Sequence, residues 1–289
     1  MTPRVTSTTV REPVVAGAFY PASARRLQED VDAMLRRAPT SERTGGIVGL
    51  VSPHAGYMYS GLTAAHAYGL LRERTFDAVV VIGPSHQEYF QGCSVYPGES
   101  YRTPLGVVPI HKEIRSALAQ EEKRIFLSVA GHRGEHSVEV QLPFLQRVLG
   151  EFAFVPIVMG DQTLELCENL AEAIASSVGN RTVLLVASSD LSHYHPYEEA
   201  TSLDRRVIDL VEEYDPLKLM DNLEHRSLEA CGGGPIVSVM LATKKLGANI
   251  ARVVHYCNSG DVTGEKGAVV GYCSAVFSRE STDAPPRVN

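Results

Sequence analysis

Two segments of the chain end alike, each with a run of β-branched residues, a proline and a histidine just beyond it. The first is Ile47-Val48-Gly49-Leu50-Val51-Ser52-Pro53-His54, and the second is Ala78-Val79-Val80-Val81-Ile82-Gly83-Pro84-Ser85-His86. In open α/β sheets ligands bind outside the carboxyl ends of the strands. Imidazoles delivered to one such edge by two strands are placed to share a metal ion. A later segment, Glu229-Ala230-Cys231-Gly232-Gly233-Gly234-Pro235, offers a thiolate to the same place. Cys231 precedes a helix predicted from about Pro235, a setting that favours the thiolate, and Glu229 is the carboxylate alternative. Two histidines and one anion leave coordination positions open. A thiolate in that role suits zinc or copper as well as iron.

Three further residues could move protons. His193 is another strand-end histidine, and Asp190 three residues before it would make an oriented acid/base pair or a helix cap. His136, in Glu135-His136-Ser137-Val138-Glu139-Val140-Gln141, is expected at a helix start, where the dipole favours the neutral ring. Glu135 and Glu139 are expected on a solvated face of that helix, and His195 in a solvated loop.

Helical patterns alternate with short β-branched runs, which predicts an α/β fold: a single domain with a central, largely parallel sheet flanked by helices. Helices are expected over 27–37, 61–74, 112–120, 138–149, 164–177, 200–214, 216–223 and 235–246. Strands are expected over 46–51, 77–82, 91–96, 152–158, 182–187, 251–258 and 267–277, the last two joined by a glycine-rich loop from Gly260 to Gly264. Residues 1–10 and 279–289 read as disordered ends around a domain spanning 11–278, although Arg11 is as polar as the residues before it.

Composition narrows the functional classes. Across 289 residues, 44% are hydrophobic and 21% charged, ordinary for a globular chain with a large core. A formal net charge of -7 gives no electrostatic case for nucleic acid or an anionic membrane. No apolar run approaches the ~20 residues that cross a bilayer, and the N-terminus lacks the apolar core of a signal peptide. A cytoplasmic location is expected. The five cysteines are odd in number, scattered and without a CxxC pair, so neither a disulfide framework nor a zinc ribbon is expected.

Taken together, these segments resemble the Memo family, whose bacterial and archaeal members are called AmmeMemoRadiSam system protein B. The resemblance is carried by Arg11-Glu12-Pro13, Ala16-Gly17-Ala18-Phe19-Tyr20-Pro21 and Pro53-His54-Ala55-Gly56-Tyr57-Met58-Tyr59-Ser60-Gly61. It continues through Gly83-Pro84-Ser85-His86, Glu135-His136-Ser137-Val138-Glu139-Val140-Gln141-Leu142-Pro143, Ser188-Ser189-Asp190-Leu191-Ser192-His193 and Cys231-Gly232-Gly233-Gly234-Pro235. It implies a domain like that of the class III extradiol dioxygenases, which hold ferrous iron with two histidines and a glutamate. The histidines carry over to His54 and His86, and Cys231 stands where those enzymes have the glutamate. The resemblance also implies a pocket with Asp190 and His193, walled by Phe19 and Tyr59; Phe19 replaces a tryptophan of some relatives. Three readings follow: a redox-type metalloprotein with iron foremost and copper or zinc as alternatives, a peptide- or protein-binding module, and a cysteine-nucleophile hydrolase. A small-molecule or peptide ligand is expected. The resemblance further implies a radical-SAM protein and a second small protein as partners.

Overall fold

The computed structural model describes residues 10–39 and 45–280. Twelve strands run in chain order: β1 (Val10–Arg11), β2 (Ile47–Ser52), β3 (Ala78–Pro84), β4 (Cys93–Val95), β5 (Ser100–Thr103), β6 (Gly106–Pro109), β7 (Ile125–Leu127), β8 (Phe154–Met159), β9 (Val183–Ser188), β10 (His193–His195), β11 (Ile250–Asn258) and β12 (Val269–Ser278). The helices are α1 (Ala24–Arg37), α2 (Tyr57–Gly69), α3 (Lys112–Leu118), α4 (Leu142–Leu149), α5 (Leu164–Val178), α6 (Tyr197–Glu212), α7 (Pro216–Glu224), α8 (Gly233–Lys245) and α9 (Ser259–Thr263).

The main sheet has the order β10-β12-β2-β9-β3-β8-β4-β7, with β11 paired to β12. Its centre, β2-β9-β3-β8, is parallel. Its flanks turn antiparallel where β12 meets β2 and β4 meets β8. The central strands are buried from end to end, because helices cover both faces and each strand must be apolar on both. Alternation assigns the sides: Val80 and Ile82 of β3 join the core under α5 and α8, while Val79 and Val81 join the core under α1, α2 and α4. The expected α/β domain is therefore present, with its parallel strands concentrated in the centre.

Several elements differ from the sequence expectation. Val10 and Arg11, expected to be loose, form β1 and pair in parallel with β5. The rest of the predicted disordered N-terminus, and the tail beyond 280, lie outside the described residues. Arg279 donates its N–H to the Gly46 carbonyl at 2.9 Å and so continues the fold. The helix expected from Val138 begins only at Leu142, with Pro143 in its first turn and a 3-10 turn before it. Proline has no N–H to give an earlier turn and is tolerated where that group would be unpaired. His136 consequently sits in an irregular segment, off any helix start. The Gly260–Gly264 loop is mostly α9, closed by a capping box between Asn258 and Asp261.

Glu135 and Glu139 are 2% and 0% exposed, against the solvated face expected for them. Glu139 forms an ion pair with Arg11. It also accepts N–H groups of Val14 at 2.9 Å and Val15 at 3.1 Å, and the Tyr20 hydroxyl at 2.5 Å. Arg11 donates in addition to the carbonyls of His132 and Glu135. This network ties the N-terminal segment to the 132–139 segment. The amphipathic pattern that suggested a solvated face belonged to a helix that does not form there.

His132 closes the network. The Tyr101 hydroxyl lies 2.6 Å from its Nδ1 and the Ser94 carbonyl 3.0 Å from its Nε2. A neutral ring that donates through Nε2 and accepts at Nδ1 satisfies both. Burial lowers its pKa from 6.5 to about 3. A depressed base contributes stability that is complete above the unfolded value and is lost as pH falls toward the folded value. Wild-type protein should therefore lose stability from this residue between pH 6.5 and 3. His132→Gln should flatten that limb by up to ~1.4 kcal/mol per pH unit. Urea unfolding at a series of pH values checks it, and an unchanged slope would contradict the assignment.

Candidate metal centre

His54 follows β2 and His86 follows β3, two strands separated in the sheet by β9 alone. Between them, from the end of β9, come Ser188 and Asp190. The fourth contributor is the irregular segment Glu135–Val138, which comes against the end of β3. Gly83 permits that approach: a Cβ there would lie 2.3 Å from the Ser137 hydroxyl. The same hydroxyl donates to the Pro84 carbonyl at 2.9 Å. Gly232 plays the matching part for Cys231, since a Cβ there would lie 2.3 Å from the Ser188 carbonyl. The glycines of the two motifs are close-approach positions that bring loops onto strand ends.

The structure brings His54, His86 and His136 together. One ligand nitrogen from each lies within 4.8 Å of the others. The His86 and His136 rings stack with centroids 4.7 Å apart, and the His54 ring stands nearly edge-on to both. Cys231 joins the group through His54, with Sγ 3.1 Å from Nε2. Bonds of about 2.0–2.3 Å around a tetrahedral ion separate neighbouring donors by ~3.3–3.8 Å. The three imidazoles are spaced so that small side-chain rotations would let them share one ion, and Cys231 stands beside them at His54.

Each ring is held from behind. His54 Nδ1 lies 3.0 Å from the Ser188 hydroxyl, which Gln141 Nε2 also approaches at 2.7 Å. His86 Nδ1 lies 2.9 Å from Glu135 Oε1, and the His86 N–H donates to Oε2 at 2.5 Å. Glu135 Oε1 further accepts the N–H groups of His136 and Ser137, each at 2.9 Å. Burial pushes the Glu135 carboxyl up, but hydrogen bonds from His86 and these amides outweigh it and bring the group down to about 2. It is a carboxylate throughout the physiological range.

The remaining predicted residues arrive separately. Asp190 is buried, accepts the His54 N–H at 2.8 Å and places Oδ2 4.0 Å from His54 Nε2. Burial raises its carboxyl to about 7, against the backbone hydrogen bonds that favour the anion. Asp190 donates its own N–H toward Cys231 Sγ at 3.3 Å. The expected Asp190–His193 pair does not form: His193 Nδ1 contacts the Leu191 carbonyl at 2.8 Å instead. The two side chains alternate along the chain end, so Asp190 turns to His54 while His193 opens β10. Burial lowers the pKa of both His54 and His193 and raises that of Cys231. The free side chain of Cys231 is thus a thiol, against the thiolate predicted from its place before α8. His195, expected in solvent, is part-buried and lies 3.0 Å from the Glu229 carboxylate, which leaves Glu229 occupied there.

Two cavities adjoin the cluster. Cys231, His193 and Leu191 line one of about 360 Å³. Phe19 and Tyr59 line another of about 920 Å³, together with His255 and Cys257. Phe19 also packs on His136, with centroids 4.8 Å apart. The predicted aromatic wall therefore borders the cluster at Phe19.

Sequence reasoning overlooked Ser188, Gln141 and the role of Glu135. Glu135 carried a usable signal, an acidic residue directly before a histidine in a segment too proline-bound to be regular helix. Ser188 and Gln141 carried none. Gly83→Ala should displace the Ser137 segment, cost ~1–3 kcal/mol in stability and weaken Zn²⁺ binding at least ~10-fold. Calorimetric titration of the folded variant checks this, and wild-type affinity would show that the close approach is dispensable.

Comparison with known proteins identifies the family. The family model described as Memo-like protein matches residues 11–276. A MEMO1 family protein of Methanosarcina mazei is 40% identical over 271 residues, covering 92% of this chain and 98% of its own. Its counterpart in Sulfolobus acidocaldarius is 38% identical, with 93% and 99% covered, and that of Nitrosopumilus maritimus is 36% identical, also with 93% and 99% covered. Among solved structures, the uncharacterized protein JW3007 from Escherichia coli K12 is similar in fold, with a TM-score of 0.51 and 16% identity over 80% of this chain and 99% of that one. The family model spans nearly the whole chain and the relatives are 36–40% identical over nearly all of it, so the chain belongs to the Memo family.

Proposed function

We propose that this protein is a redox-type metalloprotein in which His54, His86 and Cys231 hold the metal. The observation that carries the reading is the convergence of ligand nitrogens from three chain segments, with Cys231 Sγ 3.1 Å from His54 Nε2. His136 is the adjoining imidazole, available as a further donor or as an acid/base group. Iron is the expected metal, with copper and zinc as alternatives compatible with imidazole and thiolate. The metal would supply Lewis acidity or an electron. Asp190 and His193 would hold or move protons, Asp190 beside His54 and His193 from the smaller cavity wall. A small organic molecule or a peptide would enter against Phe19 and Tyr59. A cytoplasmic setting with a radical-SAM protein and a small partner protein is part of the same proposal.

A cysteine in place of the dioxygenase glutamate separates this site from routine ring cleavage. A thiolate donates more strongly than a carboxylate and is itself open to oxidation. Iron-loaded protein given protocatechuate, catechol or 3,4-dihydroxyphenylalanine in air should form ring-opened product more slowly than ~1 s⁻¹. Faster sustained turnover would assign it to that catabolic class.

The short Cys231–His54 contact favours a second reading, a cysteine nucleophile with His54 as base. Anaerobic purification followed by elemental analysis separates the readings. Wild-type protein should retain about one metal ion per chain, and Cys231→Ser should lose most of it. Bound metal should suppress alkylation of Cys231, and alkylation that ignores metal would favour the nucleophile. Wild-type protein that takes up no metal would overturn the proposal in favour of a binding module on an old enzyme fold.

A further inference from the structure

The hydrogen bonds behind the rings determine which nitrogen of each ring carries the proton. Gln141 Nε2 lies 3.0 Å from the Pro53 carbonyl, and Tyr68 donates its hydroxyl to Gln141 Oε1 at 2.8 Å. A carbonyl only accepts, so the amide must present its N–H groups to Pro53 and to Ser188 Oγ. The Ser188 hydroxyl hydrogen is directed to the Ser137 carbonyl at 2.6 Å, again a pure acceptor. Ser188 Oγ therefore has only acceptor capacity left for His54 Nδ1, 3.0 Å away. His54 must donate there, which leaves Nε2 bare toward Cys231. The same count holds at His86. Glu135 is a carboxylate surrounded by N–H donors and cannot donate, so His86 Nδ1 carries a hydrogen, and in the neutral ring Nε2 is the nitrogen left bare.

We propose that Ser188 and Glu135 are positioning residues that lock His54 and His86 as Nδ1–H tautomers, with the short segment Glu135–Ser137 setting both. That segment supplies the Glu135 carboxylate to His86 directly. It supplies the Ser137 carbonyl that takes the Ser188 hydrogen, and so reaches His54 at one remove. The two rings thus present lone pairs to a common space before any ligand arrives. His136 lies in the middle of the segment, and its Nδ1 is 3.2 Å from the same Glu135 oxygen. That oxygen already takes three N–H groups, so the His136 proton is not fixed in the same way. This inference deepens the metal reading, since a neutral imidazole with a fixed Nδ1–H is the form that binds a metal through Nε2. Its geometric content stands independently of any metal.

The test reads the tautomers directly, in full-length, metal-free, ¹⁵N-labelled protein. Long-range ¹H–¹⁵N spectra distinguish Nδ1–H from Nε2–H imidazoles, with His54→Gln and His86→Gln spectra assigning the two rings. Both rings should be Nδ1–H in the wild type. Ser188→Ala should release His54 alone to a mixture of tautomers, and Glu135→Gln should release His86 alone. Zn²⁺ added as the probe should bind each variant ~10–100-fold more weakly than wild type. An Nε2–H form at either ring in the wild type, or wild-type tautomers retained in the variants, would overturn the proposal. Ser188→Ala is a small change and decides the case by itself if Glu135→Gln does not fold. Locked tautomers in a wild type that ignores Zn²⁺ would uphold the positioning roles and overturn the metal reading instead.

Discussion

The buried carboxylate of Glu135 is the constraint on which the site depends. Among the described residues its side chain has no lysine or arginine partner and is compensated by N–H donors: the His86 ring, the His86 backbone, and the backbones of His136 and Ser137. An anion removed from water must be hydrogen-bonded on nearly every lone pair to persist. Those donors are consequently fixed wherever Glu135 is fixed. Glu135 is fixed in turn by Arg11, whose guanidinium takes the Glu135 carbonyl while pairing with Glu139. The N-terminal segment that bears Arg11 thus serves the site from a distance, by holding the segment that holds the rings.

Strand ends alone would leave the histidines too far apart to act together, because neighbouring strands are ~4.8 Å apart and β9 lies between β2 and β3. The long reach of two imidazoles turned inward closes that gap. Small residues then let the other components in. Gly83 admits Ser137, and Gly232 admits the Cys231 turn against the Ser188 carbonyl. The motif glycines are spatial requirements as well as backbone ones: neither Gly83 nor Gly232 has a positive φ.

Much of this was legible before the fold was known. The central strands announce themselves as continuous apolar runs, since both of their faces are covered. His54, His86 and Cys231 stand out because each is flanked by proline or glycine at the end of a periodic element. The 132–141 segment was misread, and the reason is physical. Its apolar residues at helical spacing fit a helix, but Pro143 can open a helix and cannot extend one backwards, so the helix starts at Leu142. With the helix went the solvated face assigned to Glu135 and Glu139. The Asp190–His193 pair failed for a similar reason. Sequence separation of three suggests neighbours only on a helix, and this stretch is an irregular link between β9 and β10. Ser188 and Gln141 were invisible because a serine in a strand and a glutamine before a helix are ordinary until a ring is found beside them.

Two unlike cavities lie beside the cluster. Cys231 lines the smaller and touches His54, while Phe19 lines the larger and touches His136. Titratable side chains line the smaller, among them His193, Glu229 and Cys231. The larger side is walled by Phe19, Tyr20, Tyr57 and Tyr59, surfaces that hold organic ligands by apolar contact and ring stacking. Cys231 is not part of the larger cavity's lining and stands beside His54, with Sγ 3.1 Å from Nε2.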